Sequence, residues 1–414
     1  MPFSQLGLDE RLLTALSNLN YQQPTEVQQQ VIPHVVAGKD VLAGAQTGTG
    51  KTAAFVLPIL HQLLQQPSTG DVSLTALILA PTRELAVQVF NSIEAYSQNT
   101  HIKSALVYGG VSISAQVDAI KQGVHIVVAT PGRLIDHLFK GTIDVSQLKA
   151  LVFDEADRML DMGFMDEIKI ILKRLPTERQ TLLFSATLDD AIFKLSQTLL
   201  KQPEVVEVHD RNSVAEPVEQ VVYNIDVDRK REFISYLIGS KNWQQVLVFT
   251  RTKQGADVLA KEMKKDGLEA ESIHGDKSQG ARERALNDFK EGKVRVLVAT
   301  DVAARGLDIR QLKYVVNYEM PYIAEDYIHR IGRTGRAGEA GLAISLLDLD
   351  EQYLLEEVEA LLDTRLNQQW FPGFEPDLTK ERTSNNKNSK AAQKKRAKQR
   401  AFGKKTGNRR GRSK

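Results

Sequence analysis

Cysteine is absent from this 414-residue chain. That excludes disulfides, thiolate zinc sites and a cysteine nucleophile. Long apolar runs are absent too: none approaches the roughly 18 consecutive apolar residues that a membrane-spanning helix requires. The opening Met1-Pro2-Phe3 soon reaches Asp9, Glu10 and Arg11, with no basic stretch leading into an apolar one. No secretory leader is therefore expected, and the cytoplasm is the default location. Residues 380–414 hold no Leu, Ile, Val or Met, and Phe402 is their one aromatic. Such a segment cannot build a core and is expected to be disordered. Acids are nearly missing there as well: fifteen Lys and Arg face only Glu381, a net of +14. Because the whole chain is +2, the remainder carries −12. The near-neutral total is thus an acidic body with a basic tail. The natural partner of that tail is a polyanion, most often nucleic acid, and a purely solubilising role is the plainer alternative.

The body is built differently. Short runs rich in Val, Ile and Leu recur at 41–45, 76–80, 104–108, 126–130, 150–154 and 181–185, with helix-like stretches such as 84–97 and 163–174 between them. After a polar break at 208–217 a second series follows at 246–250, 270–274, 295–300, 314–318 and 341–347, again alternating with helical segments such as 253–265 and 280–291. Apolar runs alternating with helices predict an α/β fold, a parallel sheet with helices on both faces. Two such domains in tandem are expected, 1–207 and 218–368, joined by the linker 208–217 and followed by a disordered basic tail, 369–414.

The first run leads into Ala45-Gln46-Thr47-Gly48-Thr49-Gly50-Lys51-Thr52 and then an apolar helix. This departs from the phosphate-loop pattern G-x-x-x-x-G-K-[ST] only in its first residue. The glycines let successive N–H groups turn toward phosphate oxygens, and the helix N-terminus adds positive potential. Lys51 would reach the β- and γ-phosphates and Thr52 would hold Mg²⁺. A lone Gly-rich turn could match by chance, but a strand before it and a helix after it make that reading weak.

The run at 150–153 ends in Asp154-Glu155-Ala156-Asp157. Carboxylates at the C-terminal end of a parallel strand lie at the ligand edge of such sheets. Asp154 would bind Mg²⁺, largely through water, and Glu155 would orient and deprotonate the attacking water. A helix-capping acidic cluster is the alternative. In the second domain, His329-Arg330-Ile331-Gly332-Arg333-Thr334-Gly335-Arg336 places Arg333 and Arg336 three apart. Arginines reaching across a cleft can neutralise charge developing at the γ-phosphate.

Taken in order, these motifs resemble those of the DEAD-box ATP-dependent RNA helicases, over residues 1–368. Tyr21 to Gln28 match the Q motif and the phosphate loop matches motif I. Pro81-Thr82-Arg83-Glu84-Leu85, Gly109-Gly110 and Thr130-Pro131-Gly132-Arg133 match motifs Ia, GG and Ib. The acidic tetrad matches motif II and Ser185-Ala186-Thr187 motif III. Val248-Phe249-Thr250 resembles motif IV, Gln279 to Arg282 the Q-x-x-R element, Thr300 to Asp308 motif V and His329 to Arg336 motif VI. Residues 242–252, 274–282 and 372–377 are similar to the bacterial RhlE-type branch. Asn20 stands where the family usually has Gly, a substitution the next most tolerant residue can absorb.

The resemblance implies two RecA-like domains, ATP and Mg²⁺ as cofactors, and RNA held by backbone contacts. It implies that Gln28 reads the adenine edge, that Tyr21 stacks on the base with Phe3 as a weaker candidate, and that Asp308 binds the ribose. His329 joins the catalytic set. Ser185 and Thr187 would couple the ATP site to RNA. Pro81, Thr82, Arg83, Gly110, Thr130 and Arg133 from the first domain, with Arg282 and Thr300 from the second, would grip the strand. The expected activity is RNA-stimulated ATP hydrolysis with local, non-processive unwinding, in ribosome assembly or RNA decay. An ATP-gated RNA clamp uses the same residues. A DNA helicase is disfavoured by the motif order.

Deleting residues 380–414 is expected to weaken RNA binding and to flatten its salt dependence. The loss per missing phosphate contact is a slope near about 0.7 for single strands. RNA dissociation constants across a salt series test this; identical slopes with and without the tail would leave it a solubility device.

Overall fold

The computed structural model describes residues 2–45, 48–66, 72–208, 218–304, 309, 312–335 and 341–379. Two seven-stranded sheets organise them. The first contains β1 (Val41–Gly44), β2 (Ala76–Leu79), β3 (Ser104–Val107), β4 (Ile126–Ala129), β5 (Ala150–Phe153), β6 (Gln180–Ser185) and β7 (Glu204–Glu207). They stand in the order β3-β4-β2-β5-β6-β1-β7, every pair parallel. The second contains β8 (Val218–Asn224), β9 (Val246–Thr250), β10 (Ala270–Ile273), β11 (Val296–Thr300), β12 (Tyr314–Asn317), β13 (Gly341–Leu347) and β14 (Asn367–Gln369). Their order is β10-β11-β9-β12-β13-β8-β14, again all parallel.

Alternation along each strand of the first sheet feeds two cores, one on each face. Val41, Ala43, Ile78, Val152 and Leu182 pack on one face under the helices Lys51–Leu64 and Arg83–Ser97. Leu42, Leu77, Leu151, Phe153 and Leu183 pack on the other, under Pro131–Lys140 and Met165–Leu172. With both faces covered, neither can be polar, so the runs read as continuous apolar stretches. Among the described residues no helix is long and apolar enough to cross a membrane.

Three strands go beyond the runs read from the sequence. Glu-flanked β7 and mixed-polarity β8 have weak apolar signals. Strand β14 is Asn-Gln-Gln and has none; it is held by parallel pairing with β8, Asn367 opposite Val221 and Gln369 opposite Tyr223. The expected boundaries shift accordingly. Val208, assigned to the linker, is buried in the first core with its N–H on the Gly44 carbonyl at 2.9 Å. Residues 209–217 and 380–414 lie outside the described residues.

The segment 369–379, assigned to the tail, completes the second domain instead. Phe371 and Phe374 pack edge-on against Phe233 at 5.1 and 5.2 Å between ring centroids. Arg229 lies over the Phe374 ring and donates to the Gly373 carbonyl at 2.9 Å. The Asp377 N–H donates to the Asp226 carboxylate at 3.1 Å. The charge run starts only at Lys380, and Phe371 and Phe374 before it supply packing surface that the tail proper lacks.

Phe374 is 9% exposed. Phe374→Ala is therefore expected to cost about 3 kcal/mol of second-domain stability. Calorimetric melting should show the second domain's transition falling while that of the first stays in place. An unshifted transition would mean the segment merely rests on the surface.

Candidate functional site

In a parallel sheet every strand ends on the same edge, and the order of the first sheet divides that edge in two. Strands β5, β6 and β1 are neighbours. The phosphate loop follows β1, Asp154-Glu155 follow β5, and Ser185 closes β6. Strands β3, β4 and β2 are neighbours on the other half. Gly109-Gly110 follow β3, Thr130 to Arg133 follow β4, and Pro81-Thr82-Arg83 follow β2.

On the β5-β6-β1 half, the Ala45 N–H donates to the Ser185 carbonyl at 3.0 Å. Gln46 and Thr47 lie outside the described residues. Gly48 and Gly50 take left-handed φ of 87° and 93°, which other residues rarely adopt. Gly50 caps the helix that begins at Lys51. The Lys51 ammonium is buried, and its Nζ has no hydrogen-bond partner among the described residues. A buried cation without a partner costs free energy, and a phosphate would supply the missing acceptor. Thr49 and the half-buried Thr52 flank Gly50 and Lys51 in sequence.

The Asp154 carboxyl is fully enclosed. Burial, and then the neighbouring Glu155 charge, raise its pKa to about 7 against the opposing pull of Lys51 and Arg158. Glu155 sits at a left-handed φ of 55°, uncommon for a residue with a Cβ. Its carboxylate is 2.5 Å from Nη1 of Arg158, itself a buried residue. Arg158 was not singled out in the sequence; the signal was its place one turn after Glu155. Asp157 accepts from the Ala186 N–H at 3.3 Å, and the Thr187 N–H donates to Ser185 Oγ at 3.3 Å, so the acidic turn and the Ser-Ala-Thr turn are joined. Among the described residues no cluster of three or more His, Cys, Asp or Glu could hold a metal alone. The donor set of Asp154 with Thr52 fits Mg²⁺, which keeps waters and phosphate oxygens in its shell.

Gln28 is 1% exposed and already engaged. Its Oε1 accepts from the Thr25 N–H at 2.9 Å, closing a capping box on the helix Glu26–Val36, and its Nε2 donates to the Gly50 carbonyl at 3.0 Å. An amide oxygen accepts twice and its nitrogen donates twice, so these two bonds use half of its capacity. Tyr21 is 39% exposed and meets the edges of Phe3 and Tyr96. Phe3 is buried in the core and so is not offered for stacking. Asn20 takes a φ of 59°, the conformation its position demands.

The β3-β4-β2 half is tied together internally. Pro81 is buried, and the buried Thr82 hydroxyl accepts from the Leu85 N–H at 3.2 Å, capping the helix Arg83–Ser97. Arg83 lies on the Gly109-Gly110 turn: a Cβ on Gly110 would overlap its guanidinium, and Gly110 has φ 88°. Thr130 caps the helix Pro131–Lys140, and its N–H donates to the Val107 carbonyl at 3.0 Å. Arg133 Nη1 donates to the Val111 carbonyl at 3.0 Å. From the second domain, Arg282 Nη2 comes within 2.7 Å of the Glu84 carboxylate, both side chains 9% exposed. Neither Glu84 Oε1 nor Arg282 Nε has an aligned hydrogen bond, so the pairing is one of charge.

Thr300 closes β11 and is buried. The helix Ala324–Ile331 carries His329, and Arg333 follows it, mostly covered. Between them in sequence, the buried Arg330, which the sequence reading passed over, ties this helix to the ends of β11 and β12. Its Nε and Nη2 donate to Asp301 at 2.6 and 2.8 Å, and its Nη1 donates to Asn317 Oδ1 at 3.2 Å and to the Glu319 carbonyl at 2.6 Å. Its position beside His329 was the available signal. Asp308 and Arg336 lie outside the described residues.

A parallel-sheet pair with a phosphate loop, an adjacent acidic turn and a second domain bearing arginines has the layout of a two-domain nucleotide-dependent helicase. Residues 25–195 match the DEAD/DEAH box helicase family and residues 229–338 the helicase conserved C-terminal domain. The chain is 42% identical to the ATP-dependent RNA helicase CshA of Listeria monocytogenes, over 88% of this chain and 69% of that one. It is 40% identical to DeaD of Escherichia coli K12, over 90% of this chain and 59% of that one. It superimposes on S. cerevisiae Dbp5 bound to RNA and ADP BeF3 with a TM-score of 0.80 at 32% identity, covering 89% and 95% of the two chains. On Mss116p bound to ssRNA and AMP-PNP the TM-score is 0.81 at 30% identity, covering 91% and 79%. The chain belongs to the DEAD-box ATP-dependent RNA helicases, and its two sheets are tandem RecA-like domains.

The raised Asp154 pKa sets a sign for stability. Below the ordinary value of 3.8 the carboxyl is neutral in folded and unfolded chains alike. Between that value and about 7 the unfolded chain releases the proton and the folded one keeps it. Stability of the nucleotide- and metal-free protein therefore falls as pH rises through this window. Asp154→Asn should raise the melting temperature at pH 8 in EDTA and change it little near pH 4. An equal rise at both values would sink the account.

Proposed function

We propose that this protein couples ATP hydrolysis to local, non-processive separation of short RNA duplexes or remodelling of RNA–protein complexes. The observation that carries the reading is the division of one sheet edge into a half with unpartnered buried charge and a half lined by arginines and a glycine turn. Lys51 and the loop N–H groups would hold the β- and γ-phosphates, and Gln28 and Tyr21 the adenine, with Asp308 on the ribose. Mg²⁺, held by Thr52 and Asp154 largely through water, would neutralise the phosphates. Glu155, once turned from Arg158, would accept a proton from the attacking water. His329, Arg333 and Arg336 would meet the γ-phosphate from the second domain. Asp157 and Ser185 to Thr187 offer a route from this chemistry to the RNA half.

RNA would lie along Pro81 to Arg83, Gly110, Thr130 and Arg133, with Arg282 and Thr300 completing the grip and the basic tail adding unspecific affinity. The motif order supports RNA over DNA, and the tail's charge suits any polyanion. Resemblance to the RhlE-type branch over 242–252, 274–282 and 372–377 supports work in ribosome assembly or RNA decay in the cytoplasm.

Glu155→Gln tests the coupling. The amide keeps the shape and cannot take the proton, a step typically worth about 10²–10⁴ in rate. ATP turnover should fall by at least that lower factor, while RNA affinity with ATP rises above that without nucleotide. Equal affinities in the two conditions would rule the coupling out. Duplex separation by the wild-type chain, measured beside RNA retention with a nonhydrolysable analogue, separates unwinding from an ATP-gated clamp.

A further inference from the structure

We propose that Gln116 and His137 are positioning residues for RNA, fixing the Gly109-Gly110-Val111 turn and Arg133 in one register through a buried hydrogen-bond chain. The inference rests on the reading that this half of the edge grips RNA. Gln116 is the one fully buried side chain of the helix Ile113–Lys121, and Ile120 packs half-buried against the core beneath it. A buried polar side chain must find hydrogen-bond partners, and Gln116 finds them on the RNA half.

The chain is complete. Gln116 Nε2 donates to the Tyr108 carbonyl at 2.9 Å, just before the glycine pair. Its Oε1 accepts from Arg133 Nη1 at 3.2 Å and lies 3.0 Å from His137 Nε2. The same Arg133 nitrogen donates to the Val111 carbonyl just after the glycine pair. The turn is therefore pinned on both sides, by Gln116 before it and by Arg133 behind it. His137 is fully buried, and its Nδ1 lies 2.7 Å from the Thr142 hydroxyl.

Donor and acceptor logic fixes the orientation of the Gln116 amide. Arg133 can only donate, so the Gln116 oxygen faces it. Reversed, the amide would set N–H against the guanidinium and oxygen against the Tyr108 carbonyl. His137 completes the set by donating from Nε2, and the Thr142 hydroxyl divides its one proton between Nδ1 at 2.7 Å and the His137 carbonyl at 3.2 Å. Burial, then the charge of Arg133 with a smaller push from Lys140 and against the pull of Asp136, holds the imidazole below its ordinary pKa, which favours the neutral ring. Because Arg83 rests on Gly110, a shift of the turn would move Arg83 as well as Arg133. None of these contacts involves a residue of the β5-β6-β1 half, so the effect should fall on RNA and spare ATP.

RNA-stimulated ATPase of the full chain, titrated with poly(U), tests this. Gln116→Ala should need roughly tenfold more RNA for half-maximal stimulation, the usual scale of one unmet buried hydrogen bond. Turnover at saturating RNA, KM for ATP and the RNA-free rate should stay at wild-type values. Gln116→Glu, nearly isosteric, keeps the acceptor but turns an anion on the Tyr108 carbonyl and should move the same way. His137→Leu should follow Gln116→Ala, whereas His137→Gln, whose amide reaches about as far as Nε2, should restore most of the affinity. Wild-type RNA requirement in these variants would overturn the inference alone. So would a joint fall of the RNA-free rate and the RNA affinity, the mark of general structural damage. A wild-type chain that RNA does not stimulate would overturn the parent reading and this inference with it.

Discussion

Parallel pairing is the constraint on which the rest depends. Strands that run the same way end on one edge, so residues far apart in sequence meet there. Ala45, Asp154 and Ser185 become neighbours because β1, β6 and β5 are neighbours. The same pairing puts the ends of β3, β4 and β2 beside them, which is why a nucleotide half and an arginine half share a single edge. Both halves therefore move as parts of one rigid sheet.

The nucleotide half stays charged at a cost. Lys51, Asp154, Glu155 and Arg158 are all buried, yet only Glu155 and Arg158 are closely paired. The enclosed Asp154 carboxyl responds by holding its proton toward about pH 7. Filling the site with a magnesium-bound polyphosphate would supply an acceptor to Lys51 and a cation to Asp154 together. A site left short of counter-charge in this way would gain more from the metal–nucleotide than from either component alone.

Much of this was legible in the sequence because it is repeated locally. Fully buried strands read as apolar runs, and the phosphate loop and acidic turn are contiguous words at their ends. What escaped depends on pairing across the chain. Strand β14 has only amide side chains and exists through its register with β8. Phe371 and Phe374 looked like the start of the tail because the body they pack on lies some 140 residues earlier, at Phe233. Phe3, a candidate for stacking, is buried in the core. Arg330 and Gln116 carry no distinctive spacing of their own; each matters through partners distant in sequence or through burial that no local pattern reveals.

The link between the domains follows the same economy of charge. Glu84 opens the helix that follows β2, and Arg282 lies in the helix Gln279–Lys290 of the second domain. With both side chains mostly covered and no aligned hydrogen bond between them, desolvation offsets much of their attraction. Such a pair specifies where the domains meet more than it holds them together. That suits a contact beside Arg83 on the arginine half, where an arriving phosphate chain would compete with Glu84 for Arg282. RNA would then be recognised by the register of charges already set across the two domains, and the weakness of the pair would let that register be taken up and released in each cycle.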